Sequence, residues 1–214
     1  MEWMGLPGNL VPEVALSAPA RQRQTWHDTD VFEYVLVIQP SRAIVQKLQE
    51  DHVFFQEFYD KQVSLRFNPQ IKVAGFRARE SMEATIIRWM QNICSLQKSF
   101  PITFNNYSGF PTGSIHLRIM EHEPFHQLTK ELRVVDDFIK SSGFPPMRMV
   151  SKPHMTIASK LEQRVYEKAL VDFSQKCFFE SFIAGELVLV KRKNAFEKGK
   201  TVNVFGLMPA NNQL

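Results

Sequence analysis

Residues 152–160 read Lys-Pro-His-Met-Thr-Ile-Ala-Ser-Lys, and within them His154 and Thr156 are spaced to meet one ligand. In an extended strand successive side chains alternate faces, so His154 and Thr156 point one way while Met155 and Ile157 point the other. The apolar pair can enter a core while an imidazole and a hydroxyl face a cleft. An imidazole titrates near neutral pH and gives or takes a proton, and a hydroxyl donates to an anionic oxygen. That combination suits phosphate chemistry, with His154 and Thr156 as the catalytic candidates.

The elements that must hold the pair follow from apolar periodicity. Phe-Glu-Tyr-Val-Leu-Val-Ile, from residue 32, reads as a buried strand closed by Pro40, and Ser41 can cap a helix reaching about residue 60. A strand from Gln70, a helix from Glu80 and a strand from Pro101 complete one strand–helix–strand–helix–strand unit. The order then begins again: a strand from Ser114, one helix over residues 123–140, the His154 strand and a helix from Glu162. A strand over residues 182–192 pairs with one over 201–208 to close the fold.

The two copies align on their chemistry. Asn-Pro-Gln-Ile-Lys-Val-Ala-Gly-Phe of the first meets Ser-Lys-Pro-His-Met-Thr-Ile-Ala-Ser of the second, with Pro immediately before each key position. Gln70 answers to His154 and Lys72 to Thr156, and the key positions lie 84 residues apart. Ile71 and Val73 match Met155 and Ile157. A duplication of this kind predicts a two-lobed α+β protein with a central cleft. The expected organisation is an N-terminal arm over residues 1–29 and one two-lobed domain over 30–208. Its pseudo-repeats would run from about 32 to 110 and from 113 to 208, and a tail would follow at 209–214.

Val-Leu-Val-Ile-Gln-Pro at 35–40, Ile-Lys-Val-Ala-Gly-Phe at 71–76, Ser-Ile-His-Leu-Arg-Ile at 114–119 and His-Met-Thr-Ile-Ala-Ser at 154–159 all carry one resemblance. With Gly-Glu-Leu-Val-Leu-Val-Lys-Arg and Val-Phe-Gly-Leu-Met-Pro near the end, the chain resembles the two-histidine phosphoesterase superfamily, the 2′-5′ RNA ligase-like proteins. The resemblance implies a duplicated two-lobed fold with antiparallel sheets lining a central cleft and helices outside, and one His-x-Thr/Ser motif from each lobe. One histidine would act as general base and the other as general acid, with the hydroxyls on the phosphate. It implies 2′,3′-cyclic phosphates and related nucleotide or RNA phosphoesters as ligands, and neither cofactor nor metal.

The departure from the family pattern is the first motif, which reads Gln70-Ile71-Lys72-Val73. Gln70 can hydrogen-bond a phosphate oxygen but cannot titrate, and Lys72 offers a charge-assisted contact stronger than the hydroxyl it replaces. Anion binding can survive, while proton transfer loses a group that typically contributes about 10²–10⁴-fold. Gln70, Lys72, Phe76, His116 and Arg118 are therefore the substrate-binding candidates. Phe76 is placed to stack on a base, although core packing is the default among eighteen phenylalanines. His116 and Arg118 share one strand face, and His116 is the one other histidine considered as a proton-transfer replacement. His27, His52, His122 and His126 read as arm, helix or surface residues and form no ligand set. The basic stretch 191–200 reads as a solvated hairpin loop, and Lys160 as a strand-end lysine near the phosphate.

Composition frames these readings. A chain of 214 residues with 44% hydrophobic and 22% charged residues can bury a sizeable core. The net charge of +4 is compatible with an anionic ligand without indicating a nucleic-acid surface. Two cysteines without metal spacing, no apolar run of membrane length and no signal-like start lead us to expect a cytoplasmic protein, monomeric and off the membrane. Three functional readings stand: a phosphoesterase of reduced or altered activity, a non-catalytic nucleotide- or RNA-end-binding module, and a structural relic.

Overall fold

The computed structural model describes residues 30–59, 68–194, 197 and 199–210. The expected arm at 1–29, residues 211–214 of the tail and part of the basic loop lie outside them. Strand β1 (Val31–Ile38) is rich in the β-branched and aromatic residues that suit a pleated surface, and it is buried on both faces from Tyr34 onward. Tyr34, Leu36 and Ile38 enter the main core, whereas Val35 and Val37 join Val188 and Val190 in a small apolar cluster on the opposite face. Pro40 follows, and the Ser41 hydroxyl accepts from the Ile44 N–H at 3.4 Å, capping helix α1 (Arg42–Phe58).

Strand β2 (Ile71–Arg79) returns antiparallel to β1. A short 3₁₀ turn leads into α2 (Glu83–Cys94), and then come β3 (Phe100–Phe110), β4 (Ser114–Ile119), α3 (Glu123–Glu131) and α4 (Arg133–Ser141). The chain ends with β5 (Arg148–Met149), β6 (His154–Ala158), α5 (Gln163–Ser174), β7 (Phe179–Ala184), β8 (Glu186–Arg192) and β9 (Lys200–Gly206). The strands form one antiparallel sheet in the order β7-β3-β4-β6-β2-β1-β8-β9, with β5 paired beside β2. The helices of the described residues press their apolar faces, such as Ile44, Leu48 and Phe55 of α1, onto one side of it. Each fully buried Leu, Ile or Phe stabilises by about 1.5–3 kcal/mol, so this layer holds the fold together. The other side of the sheet is left to line the cleft.

The strand order forces the sheet to curl. Only Gly185 separates β7 from β8, yet these strands stand near opposite ends of the order. The two ends must therefore meet. Leu207 N–H donates to Gly185 O at 2.8 Å, and Ser99 N–H to Met208 O at 2.7 Å, joining the end of β9 to the start of β3.

The structure differs from the sequence-based expectations in four respects. Residues 123–140 form two helices that break at Leu132, because the buried stripe Phe125, Leu128, Leu132, Val135, Ile139 runs across the break and reads as one period. Residues 182–192 are not one strand: the segment divides at Gly185, its first part pairing with β3 at one end of the sheet and its second lying between β1 and β9 near the other. The short strand β5 was not expected. The sheet also does not divide as the sequence repeats do, since β3 lies between β4 and β7 while β8 and β9 flank β1.

Candidate functional site

The site is built on three neighbouring strands. Ile71 of β2 pairs with Met155 of β6, and both side chains are fully buried on the helix side. Alternation then turns residues 70, 72, 154 and 156 to the opposite, open face. Continuing the antiparallel register by one residue in each direction sets Gln70 across from Thr156 and Lys72 across from His154. On the far side of β6, strand β4 pairs His116 with Thr156 and Arg118 with His154. Two rows result: His116–Thr156–Gln70 and Arg118–His154–Lys72.

His154 has a defined tautomer. Its Nδ1 lies 2.8 Å from the Lys152 carbonyl oxygen, which can only accept, so Nδ1 carries the proton. Nε2 of the neutral ring is then the free lone pair, ready to take a proton. Asn68 Nδ2 donates to Gln70 Oε1 at 3.4 Å, leaving the Gln70 amide NH₂ to donate to an anion.

His116 occupies the same face but is covered. The Phe110 ring stacks on it with centroids 4.0 Å apart, and the His154 ring meets it edge-on at 5.1 Å. It is 5% exposed, the buried polar side chain among the described residues, and its Nδ1 has no hydrogen-bond partner. Burial, then the nearby His154 and Arg118 charges, push its pKa down to about 4. At neutral pH His116 is therefore an uncharged ring packed against His154, not a ready proton donor.

Lys72 is surface-accessible, yet protein atoms crowd it enough to lower its pKa. Burial is the main cause, Arg192 adds to it and Glu33 opposes it. Arg192 Nε donates to Glu33 at 2.8 Å, so that carboxylate is already engaged. Arg118 is exposed and donates from Nε to the Asn105 carbonyl at 3.1 Å. Thr156 is exposed on the same face.

Phe76 does not join these residues. It is 4% exposed and stacks on Tyr34 within the core, with ring centroids 5.2 Å apart. A bulge in the β1–β2 pairing, between Leu36 and Val37, carries Val73 as an extra residue and reverses the alternation beyond it. Lys72 and Phe76, four residues apart, thus fall on opposite faces. Phe110 is the aromatic residue on the cleft side. The signal for it was the hairpin: Gly113 at φ 77 closes the turn and pairs Phe110 with Ser114, on the face His116 shares. The apolar cluster of Val35, Val37 and Val188 on this face was also unforeseen, although the unbroken apolar run of β1 marks a strand buried on both sides.

The remaining histidines lie apart. His122 Nε2 is 3.0 Å from Ile119 O, and His126 Nε2 is 3.2 Å from Ser151 O. Burial lowers the pKa of His52 on α1. Among the described residues no three His, Cys, Asp or Glu side chains converge as a metal site, and no helix is long and apolar enough to cross a membrane.

Among curated proteins none matches this chain. Solved structures do: Escherichia coli LigT complexed with 3′-AMP superposes with a TM-score of 0.59 at 14% identity, covering 83% of this chain and 98% of that one. TT0787 of Thermus thermophilus superposes with a TM-score of 0.60 at 14% identity, again covering 83% and 98%. At these identities the likeness is one of fold. The family follows from the sequence itself, because the model of the 2′-5′ RNA ligase superfamily matches residues 37–195, from the end of β1 through β8. This chain belongs to the 2′-5′ RNA ligase superfamily.

Proposed function

We propose that this protein binds the phosphate of a nucleotide or RNA end on the open face of its sheet and acts on 2′,3′-cyclic phosphates or related phosphoesters, with turnover altered by the loss of the first histidine. The observation that carries this reading is the pairing of Arg118 with His154, whose Nδ1 is held by Lys152 O, beside an Ile71–Met155 register that, extended by one residue, brings Lys72 to the other side of His154. Cations on both sides hold an anionic phosphorus centre while an imidazole handles a proton. Thr156 and Gln70 in the adjoining row add neutral donors. LigT has been solved as complexes with 3′-AMP, phosphate, ATP and NADP⁺, which supports a nucleotide as the ligand class.

The test is hydrolysis of nucleoside 2′,3′-cyclic monophosphates by the parent and by His154→Ala. We expect slow turnover that the substitution abolishes. A second reading, a non-catalytic module that binds nucleotide or RNA ends, is favoured by one observation: Gln70 stands where the family pattern has a histidine. It becomes the better one if 3′-AMP protects the protein against thermal unfolding and no cyclic phosphate is turned over.

A further inference from the structure

Phosphodiester hydrolysis with a ribose oxygen as leaving group needs two proton movements, one off the attacking water and one onto the leaving oxygen. His154 supplies one. Of the other groups on the open face, Gln70 and Thr156 do not titrate usefully, Arg118 keeps its proton, and His116 is sealed under Phe110. Lys72 remains. Extending the Ile71–Met155 register by one residue places it across from His154, on the same face, and it makes no hydrogen bond or salt bridge among the described residues. We propose that Lys72 is the general acid of this site, delivering its proton to the leaving ribose oxygen while His154 acts as the base.

The roles follow from hydrogen-bonding capacity. An ammonium has three donors and no acceptor, so Lys72 enters the reaction only as an acid. His154, with Nδ1–H held by Lys152 O, offers a lone pair at Nε2 and enters as the base. Nε2 takes a proton from water as the water oxygen bonds to phosphorus. The bond from phosphorus to one ribose oxygen breaks, its electron pair stays on that oxygen, and the Lys72 Nζ proton is transferred there. A cyclic diester and one water become a phosphomonoester with a free ribose hydroxyl. The imidazolium and the neutral amine then exchange protons with solvent to restore the starting state.

The surroundings of Lys72 favour the task. The extended register sets His154 across from it on β6, Val37 of β1 stands opposite it, Glu33 of β1 and Arg192 of β8 act on it electrostatically, and Arg77, paired with Glu33, lies further along its own strand. Glu33 is bound to Arg192, so no carboxylate clamps the ammonium, and burial with Arg192 makes its proton easier to release than an ordinary lysine's. A lysine with a depressed pKa is the stronger acid toward the leaving oxygen.

The inference rests on the phosphoesterase reading, and Lys72→Arg separates the two because arginine keeps the charge and cannot yield the proton. We expect the variant to retain 3′-AMP binding within a few-fold and to lose about 10²–10⁴-fold in kcat on nucleoside 2′,3′-cyclic monophosphates. With thymidine 5′-(4-nitrophenyl) phosphate, whose leaving group needs no proton, the loss should shrink to a few-fold. The alkaline limb of the parent's pH–rate profile, below the ordinary lysine range, should vanish in the variant. Undiminished cyclic-phosphate turnover in Lys72→Arg overturns the acid role and leaves the phosphoesterase reading standing. Equal losses on both substrates do the same and make Lys72 a phosphate holder. A parent that binds 3′-AMP but turns over neither substrate overturns both.

Discussion

Substituting His116 by Phe should make the protein more resistant to mild acid. In the unfolded chain a histidine binds its proton with a pKa near 6.5, whereas His116 in the fold resists protonation until about pH 4. Between those values the unfolded state holds more protons than the folded one, so folding stability falls as pH falls. Above the unfolded value neither state is charged, and below the folded one both are, so the change is confined to that window. One pKa unit corresponds to about 1.4 kcal/mol, which makes the loss between pH 7.5 and pH 4.5 about 2–3 kcal/mol. Phenylalanine cannot titrate and places an apolar edge where Nδ1 now has no partner.

The assay is urea unfolding of both chains at pH 7.5 and at pH 4.5. Carboxylates and His52 also titrate across this range, but they do so in both proteins and cancel in the difference of differences. At pH 7.5 the variant should lie within about 1 kcal/mol of the parent, since removing an unsatisfied nitrogen offsets the cost of the larger ring. At pH 4.5 it should be the more stable by about 2–3 kcal/mol. Parallel losses in the two chains would show that His116 titrates normally, and the burial argument would be wrong. An NMR titration placing the His116 imidazole near pH 6.5 would refute it independently.

Three further outcomes follow from the site and the fold. Lys72→Ala should weaken nucleoside monophosphate binding by about ten-fold at low salt, and the parent's affinity should itself fall as salt rises; calorimetry showing no change in the variant would make Lys72 a bystander to binding. Gly113→Ala should destabilise by about 1–3 kcal/mol in denaturant melts, because φ is 77 there and a Cβ would lie 2.5 Å from Leu161 O; an unchanged midpoint would mean that the turn relaxes freely. Gln70→His with Lys72→Thr should raise cyclic-phosphate turnover, since the new histidine and threonine would flank Ile71 on the face where His154 and Thr156 flank Met155. A folded double variant that binds nucleotide with no gain over the parent would mean that Lys72 already serves as well as a second histidine.

What the sequence made legible was local. His154 and Thr156 share a face because strand alternation alone decides it, and the matched Ile71 and Met155 placed Gln70 and Lys72 beside them. The face of His116 was legible in the same way. Its burial was not, because that depends on Phe110 being brought over it by a hairpin from the neighbouring strand. Nor was the division of residues 182–192, since nothing within a β-rich run with a single glycine says that its halves pair at opposite ends of a curled sheet.

The bulge between β1 and β2 is the least legible feature and the one on which the site most depends. It carries neither glycine nor proline to mark it, and Val73 is buried just as Ile71 and Ala74 are, so its burial gives no sign of it either. Regular pairing would put Lys72 and Phe76 on one face. Facing the cleft, Phe76 would lose its stacking on Tyr34; facing the core, the Lys72 ammonium would be buried without a partner at a cost of several kcal/mol. One extra residue removes the conflict. Its carbonyl is satisfied by the Val150 N–H at 3.0 Å, beside strand β5, so the bulge leaves that group hydrogen-bonded. The short unforeseen β5 thus has a part in the site: it supports the kink that lets one strand send a lysine to the cleft and an aromatic ring to the core.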